Sequence, residues 1–122
     1  MMENIVPMII QGLLILLFLL AGFFKLTQTK EKIVAGGGAW AADFATNQIK
    51  MIGALECALS LGLLLHLLFS VAYMLAIASS AGMSLVMLSA AYVHIRRKEY
   101  GFVIFTLVLS AMAFFITFRY LF

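Results

Sequence analysis

Charge is scarce in this chain: only 11% of its 122 residues are Asp, Glu, Lys or Arg, less than half the share of about 25% usual in a soluble domain. There are two histidines, one cysteine and one proline. Cys57 alone cannot close an internal disulfide, and the count excludes a CxxC redox pair or a cysteine-rich metal site. The sequence contains no HExxH and no two-histidine metal spacing, so no metal is implied. Gly36, Gly37 and Gly38 lack the strand-turn-helix setting of a phosphate or dinucleotide site. No complete catalytic set can be assembled. What is present is apolar: 66% of residues are hydrophobic and the mean hydropathy is +1.16. A domain this small buries only about two thirds of its unfolded surface, too little interior for so many Leu, Ile, Phe and Met side chains. Lipid must be the solvent for most of the chain. The net charge of +3 does not mark a nucleic-acid binder, because the basic residues sit in short clusters between apolar runs, where they act as membrane orientation signals.

The apolar runs predict an all-α integral membrane four-helix bundle of up-down topology, with residues 1–122 as a single transmembrane domain. The first span covers 5–24, twenty residues without a charge, enough for a helix of about 30 Å, the thickness of a hydrocarbon core. Pro7 falls in its first turn, where a missing N–H does no harm. Glu3 stands where a secretory signal would carry a basic residue, so an uncleaved helix is expected. From Met51 to His94, Glu56 is the only residue with a formal charge; one helix of that length would be about 66 Å long, so the segment folds into a hairpin. Its turn is placed near 67–71, giving spans at 49–68 and 71–93, and a fourth span covers 102–122. The connection 25–48 is read as partly interfacial. Ile33, Trp40 and Phe44 share one helical face there, the three glycines interrupt it, and Asp43, Thr46 and Asn47 offer N-caps for the second span.

Orientation follows from the basic residues. Lys25, Lys30, Lys32 and Lys50 lie in the first connection and Arg96, Arg97 and Lys98 in the third, with Arg119 alone elsewhere. By the positive-inside rule, loops 25–50 and 94–101 are cytoplasmic and both termini lie outside a cell membrane. Arg96, Arg97 and Lys98 read as an orientation signal in contact with lipid headgroups, or as a docking patch for an acidic partner. His66, Arg119 and Tyr120 fall near the outer interface, where aromatic anchoring and snorkelling account for them. Cys57 reads as a small packing residue.

Small residues at helical spacing predict close helix contacts. On the second span, Ala54, Ala58 and Gly62 form one stripe, and Gly53, Glu56, Ser60 and Leu67 lie nearly opposite. Ala72, Ala76, Ser80 and Ser84 mark the third span, and Thr106, Ser110, Ala113 and Thr117 the fourth. Glu56 differs in kind, since a carboxylate within hydrocarbon costs at least about 2.5 kcal/mol and calls for a partner. Lys25 ends the first span on the same side and reaches inward along its alkyl stem. His94 ends the third span there as well, so Lys25, Glu56 and His94 are expected to converge, with Trp40, Asp43 and Lys50 nearby. Two readings stand side by side: an ion pair that locks the bundle, and a proton- or ligand-binding site.

The order of these motifs resembles the DoxX-like family of small four-span membrane proteins. The resemblance rests on Ala21-Gly22-Phe23-Phe24-Lys25-Leu26, on Trp40 with Asp43-Phe44, and on Lys50-Met51-Ile52-Gly53-Ala54-Leu55-Glu56. It continues in Met87-Leu88-Ser89-Ala90-Ala91-Tyr92-Val93-His94 and the following Arg96-Arg97-Lys98-Glu99. Ser89 stands where the family pattern leads to glycine, and no proline follows the second span. The resemblance implies that Lys25, Trp40, Asp43, Glu56 and His94 belong together, and that relatives act as redox-complex partners or as assembly helpers.

The expected function is that of an accessory membrane protein binding a small molecule or a partner, with no cofactor and no catalytic residues assigned. The alternatives are a subunit of a quinone-linked oxidoreductase complex, with quinone as the cofactor, and a small proton-coupled transporter acting as a dimer. The expected partners are the lipid bilayer and a protein partner or a second copy of the chain; nucleic acid is not among them.

Overall fold

A computed structural model describes residues 2–70 and 72–122, the side chains of residues 2 and 3 excepted. The chain forms α1 (Met2–Thr27), α2 (Lys30–Ala35), a 3-10 turn at Ala39–Asp43, α3 (Thr46–Phe69), α4 (Tyr73–Arg96) and α5 (Tyr100–Leu121). Four of these helices are long and apolar enough to cross a membrane. Only 33–39% of each apolar stretch is buried within the bundle, so most of their surface is left for lipid, as an apolar composition without a large interior requires.

The helices extend past the spans read from the sequence because hydropathy marks the hydrocarbon segment, whereas the backbone continues until a cap ends it. Since α1 begins at Met2, Pro7 stands in its second turn, not its first, and one intrahelical hydrogen bond is left unmade. The expected start of the third span, Val71, lies outside the described residues, and α4 begins at Tyr73. The turn before it opens at Ser70, in the left-handed conformation with φ 49°, whose N–H returns to the His66 carbonyl at 2.8 Å.

The tightest partnerships are α1 with α3 and α4 with α5, while α3 against α4 and α1 against α5 close the ring. Gly22 and Gly53 carry the first. A Cβ on Gly22 would fall 2.7 Å from the Gly53 carbonyl, and one on Gly53 would fall 2.8 Å from the Gly22 carbonyl, so the two backbones touch as small-residue crossings in lipid allow. Between α4 and α5 the bond is polar: Ser84 and Ser110 each donate to the other's carbonyl, at 3.1 and 3.0 Å. Ser80 and Thr117 lie 2.7 Å apart, sharing a further hydrogen bond. Leu14, Phe18, Leu63, Met83 and Ile116 fill the centre. Of the two stripes expected on opposite sides of α3, Gly53, Glu56 and Ser60 are buried, while of Ala54, Ala58 and Gly62 the last alone is buried, against Leu75 and Ser79 of α4, and the two alanines face outward.

The connection departs from the expected surface helix. Thr29 accepts from the Lys32 N–H at 3.2 Å and starts α2, but the helix stops after six residues. Gly37, at φ 104°, sends its N–H to the Val34 carbonyl at 3.3 Å, and Gly38 sends its own to Ile33 at 2.8 Å. This is the Schellman pattern of a left-handed helix end. Ile33, Trp40 and Phe44 do pack in one cluster with Ala41 and Ile49, through this reversal and not through a shared helical face. None of the expected N-caps is used by α3. Ala45 holds the cap position, and the Gln48 side chain accepts from its N–H at 2.9 Å.

Candidate functional site

The Gly22–Gly53 crossing fixes what happens one turn further along each helix. Lys25 follows Gly22 by three residues and Glu56 follows Gly53 by three, so both project from the point of closest approach. Lys25 Nζ donates to Glu56 Oε1 at 2.7 Å, with the Glu56 side chain 3% exposed and that of Lys25 15% exposed. The ammonium also lies 5.4 Å from the centre of the Trp40 ring, within reach of its electron-rich face. Lys50 takes another role. Its three ammonium protons go to the carbonyls of Lys25, Leu26 and Gln28, at 3.0, 2.9 and 2.8 Å. These are acceptors that the end of α1 would otherwise leave unsatisfied, and a cation there also complements the helix dipole.

A second cluster forms where α4 ends. Lys98 is left-handed at φ 61°; its N–H returns to the Ile95 carbonyl and that of Glu99 to His94, at 3.0 and 2.9 Å. This second Schellman turn folds Glu99 back over the helix end. His94 Nδ1 donates to Glu99 Oε1 at 2.8 Å, and its ring stacks on Phe102 at 5.0 Å. Arg97 donates to Asp43 at 2.5 Å and more weakly to Glu99 at 3.5 Å. The Asp43 carboxylate, as hydrogen-bond acceptor, holds the Arg97 guanidinium still more firmly in its charged form.

Of the three side chains expected to converge, two are in direct contact. Lys25 and Glu56 pair as read, whereas the buried His94 is paired with Glu99, and among the described residues no hydrogen bond joins it to either. Trp40 and Asp43 stand three residues apart on the one 3-10 turn. One reaches the Lys25–Glu56 pair and the other reaches Arg97, so this turn links the clusters. Beside it opens a groove of about 640 Å³ lined by Asp43, Phe44, Tyr92, Val93, Arg96 and Arg97. Among the described residues no group of three or more His, Cys, Asp or Glu is placed to hold a metal ion.

The sequence model of the DoxX-like family matches residues 9–116. The chain belongs to the DoxX-like family. No curated protein and no solved structure matches it. The family match in this DoxX-like chain spans α1 to α5 and includes every residue of both clusters. In the fold, the motif glycines Gly22 and Gly53 are what let Lys25 and Glu56 meet.

Sequence reasoning missed a third polar group at the far end of the bundle. Tyr120 donates to the buried Gln11 at 2.9 Å, and its ring stands edge-on to the buried His66 at 5.0 Å. Tyr73 completes a triangle of rings, at 5.5 Å from His66 and 5.9 Å from Tyr120. The cluster draws on all four spans, so His66 and Tyr120 join helices and do more than anchor an interface. Gln11, the one side-chain amide within the first apolar run, was the available signal.

Proposed function

We propose that this DoxX-like membrane protein is a non-catalytic accessory protein whose basic end faces the cytoplasm and binds a small molecule or a protein partner. The observation that carries the reading is the groove between the 3-10 turn and the end of α4. It is lined by the Asp43–Arg97 pair and adjoins two clusters in which the acid-base groups are already engaged, Glu56 by Lys25, Asp43 by Arg97 and His94 by Glu99. Groups neutralised in this way are poorly placed to exchange protons with a substrate, because each transfer would strand a partner charge near a low-dielectric interior. They are well suited to fixing a recess, since paired side chains pre-organise a binding surface. The Lys25–Glu56 pair serves as the fastening that keeps Trp40, and with it Asp43, at the rim.

Native mass spectrometry of the detergent-purified chain beside Glu56→Gln tests this. The wild-type protein is expected to retain a bound compound or partner, and the variant to lose most of it as the turn loosens. Equal retention in both forms would sink the role assigned to the pair, and a bare wild-type protein would sink the binding reading itself.

A further inference from the structure

We propose that the groove at the end of α4 is a seat for the phosphate of an anionic phospholipid, with Arg96 as its principal ligand; this rests on reading the groove as a binding site. The two arginines of the groove differ in how far they are engaged. Arg97 is held by Asp43 and Glu99. Among the described residues the polar partner of Arg96 is Tyr92, over whose ring it lies at 5.8 Å with Nη1 3.4 Å from the hydroxyl, a long contact that leaves most of its five donors unused. A guanidinium in that state is matched to two phosphate oxygens at once. Because Tyr92 Oη accepts from Arg96, its own proton is left to donate to the same anion. Lys98, exposed two residues further on, makes no ion pair among the described residues and adds a second mobile cation.

Local charge favours an anionic headgroup over a zwitterionic one. Arg96, Arg97 and Lys98 outweigh Asp43 and Glu99, so a choline or ethanolamine ammonium arriving with the phosphate would meet like charge, whereas a glycerol headgroup would not. The α4 terminus presents carbonyls, not N–H groups, so the helix end itself offers an anion nothing, and binding must depend on the side chains. The source of the phosphate is set by what lies below the groove. Leu85, Leu88 and Tyr92 are exposed along one face of α4, at spacings of three and four that stack them in a line of about 10 Å. Phe44 and Val93 supply apolar lining at the mouth. A lipid seated at Arg96 lays an acyl chain along that line, which a soluble phosphate cannot do.

The test uses the full chain in detergent, with native mass spectrometry after exposure to equimolar phosphatidylglycerol and phosphatidylcholine, and separately to inorganic phosphate. The wild-type protein is expected to keep phosphatidylglycerol in preference, and Arg96→Gln to lose about fivefold or more of that retention. Lys98→Gln is expected to show a smaller loss. Lys32→Gln, an exposed lysine away from the groove, serves as control and is expected to behave as wild type. Equal loss in Lys32→Gln would reduce the effect to general surface charge and overturn the proposal. So would equal retention of the two lipids, or competition by inorganic phosphate at similar concentration. If neither lipid is preferred but another compound or a partner is retained, the phospholipid assignment fails while the binding reading stands; a chain that retains nothing ends both. Arg96 is exposed, so its variant is expected to fold, and an unchanged melting temperature verifies this.

Discussion

Lys25 neutralises the only formal charge inside the α3 apolar run, and the geometry places the burden unevenly, since the carboxylate is more deeply buried than the ammonium. Removing the cation therefore hurts more than removing the anion. Lys25→Met leaves a buried carboxylate without its counter-charge and is expected to cost about 3 kcal/mol, the lower end of the range for broken buried pairs because the ammonium is partly exposed. In Lys25→Met/Glu56→Leu most of that loss is expected to return, since two apolar side chains of similar volume suit a lipid-embedded contact. Unfolding of the three proteins in detergent against wild type measures the coupling; strictly additive losses would show that the two side chains do not act as a pair. The partnership was legible in the sequence because an intramembrane carboxylate demands a cation and Lys25 is on the right side of the membrane at the right depth. The partner of His94 was not, because Glu99 reaches it only through the left-handed Lys98, and nothing in a lysine announces that conformation. The role of Lys50 was equally hidden: an ammonium near a site looks like a ligand until three carbonyls are seen to saturate it.

At the scale of elements, the crossing of α1 and α3 sets the register on which the first cluster depends. Gly53→Ala places a methyl 2.8 Å from the Gly22 carbonyl and 2.9 Å from Lys25 Cβ. Neither neighbour is a flexible side-chain tip, so the helices must part. A loss of about 1–3 kcal/mol is expected from such overpacking, together with weakened retention of whatever the groove holds. Gly12→Ala is the control, since a Cβ there meets nothing within 4 Å. Chemical unfolding of both variants checks the contrast, and equal stability would show that the crossing tolerates separation. The four long helices were plain in the hydropathy, which responds to solvent. Their caps and the connection were not, because Ala45 at the head of α3 works through Gln48, and the fold of 25–48 turns on one glycine at positive φ. Periodicity grouped Ile33, Trp40 and Phe44 correctly for a reason the backbone does not share.

For the whole molecule, the two ends of the bundle are built differently. One gathers ion pairs and helix caps, and the other a ring of Gln11, His66, Tyr73 and Tyr120 in which all four spans meet. If the basic end faces the cytoplasm, as its lysines and arginines lead us to propose, Lys32→Cys in a Cys57→Ser background reacts with a membrane-impermeant maleimide only after the inner face is exposed. Asn4→Cys reacts from outside in intact cells. Labelling of intact cells at residue 32 and not at residue 4 would invert the topology. Both test positions are exposed in the fold, and labelling of each after detergent solubilisation verifies that the thiol is reactive, so that failure to label in cells reports sidedness.

Chain order gives the Lys25–Glu56 pair a schedule as well as a place. Lys25 precedes Glu56 by 31 residues, which at about 5–20 residues per second of synthesis is an interval of roughly 2–6 s. The ammonium is already waiting at the bilayer when the carboxylate emerges, and the glycine on each helix lets the newcomer dock flush against its predecessor. Chain order thus makes a cation available to the intramembrane carboxylate, the most expensive side chain of the apolar runs, from the time that it is made.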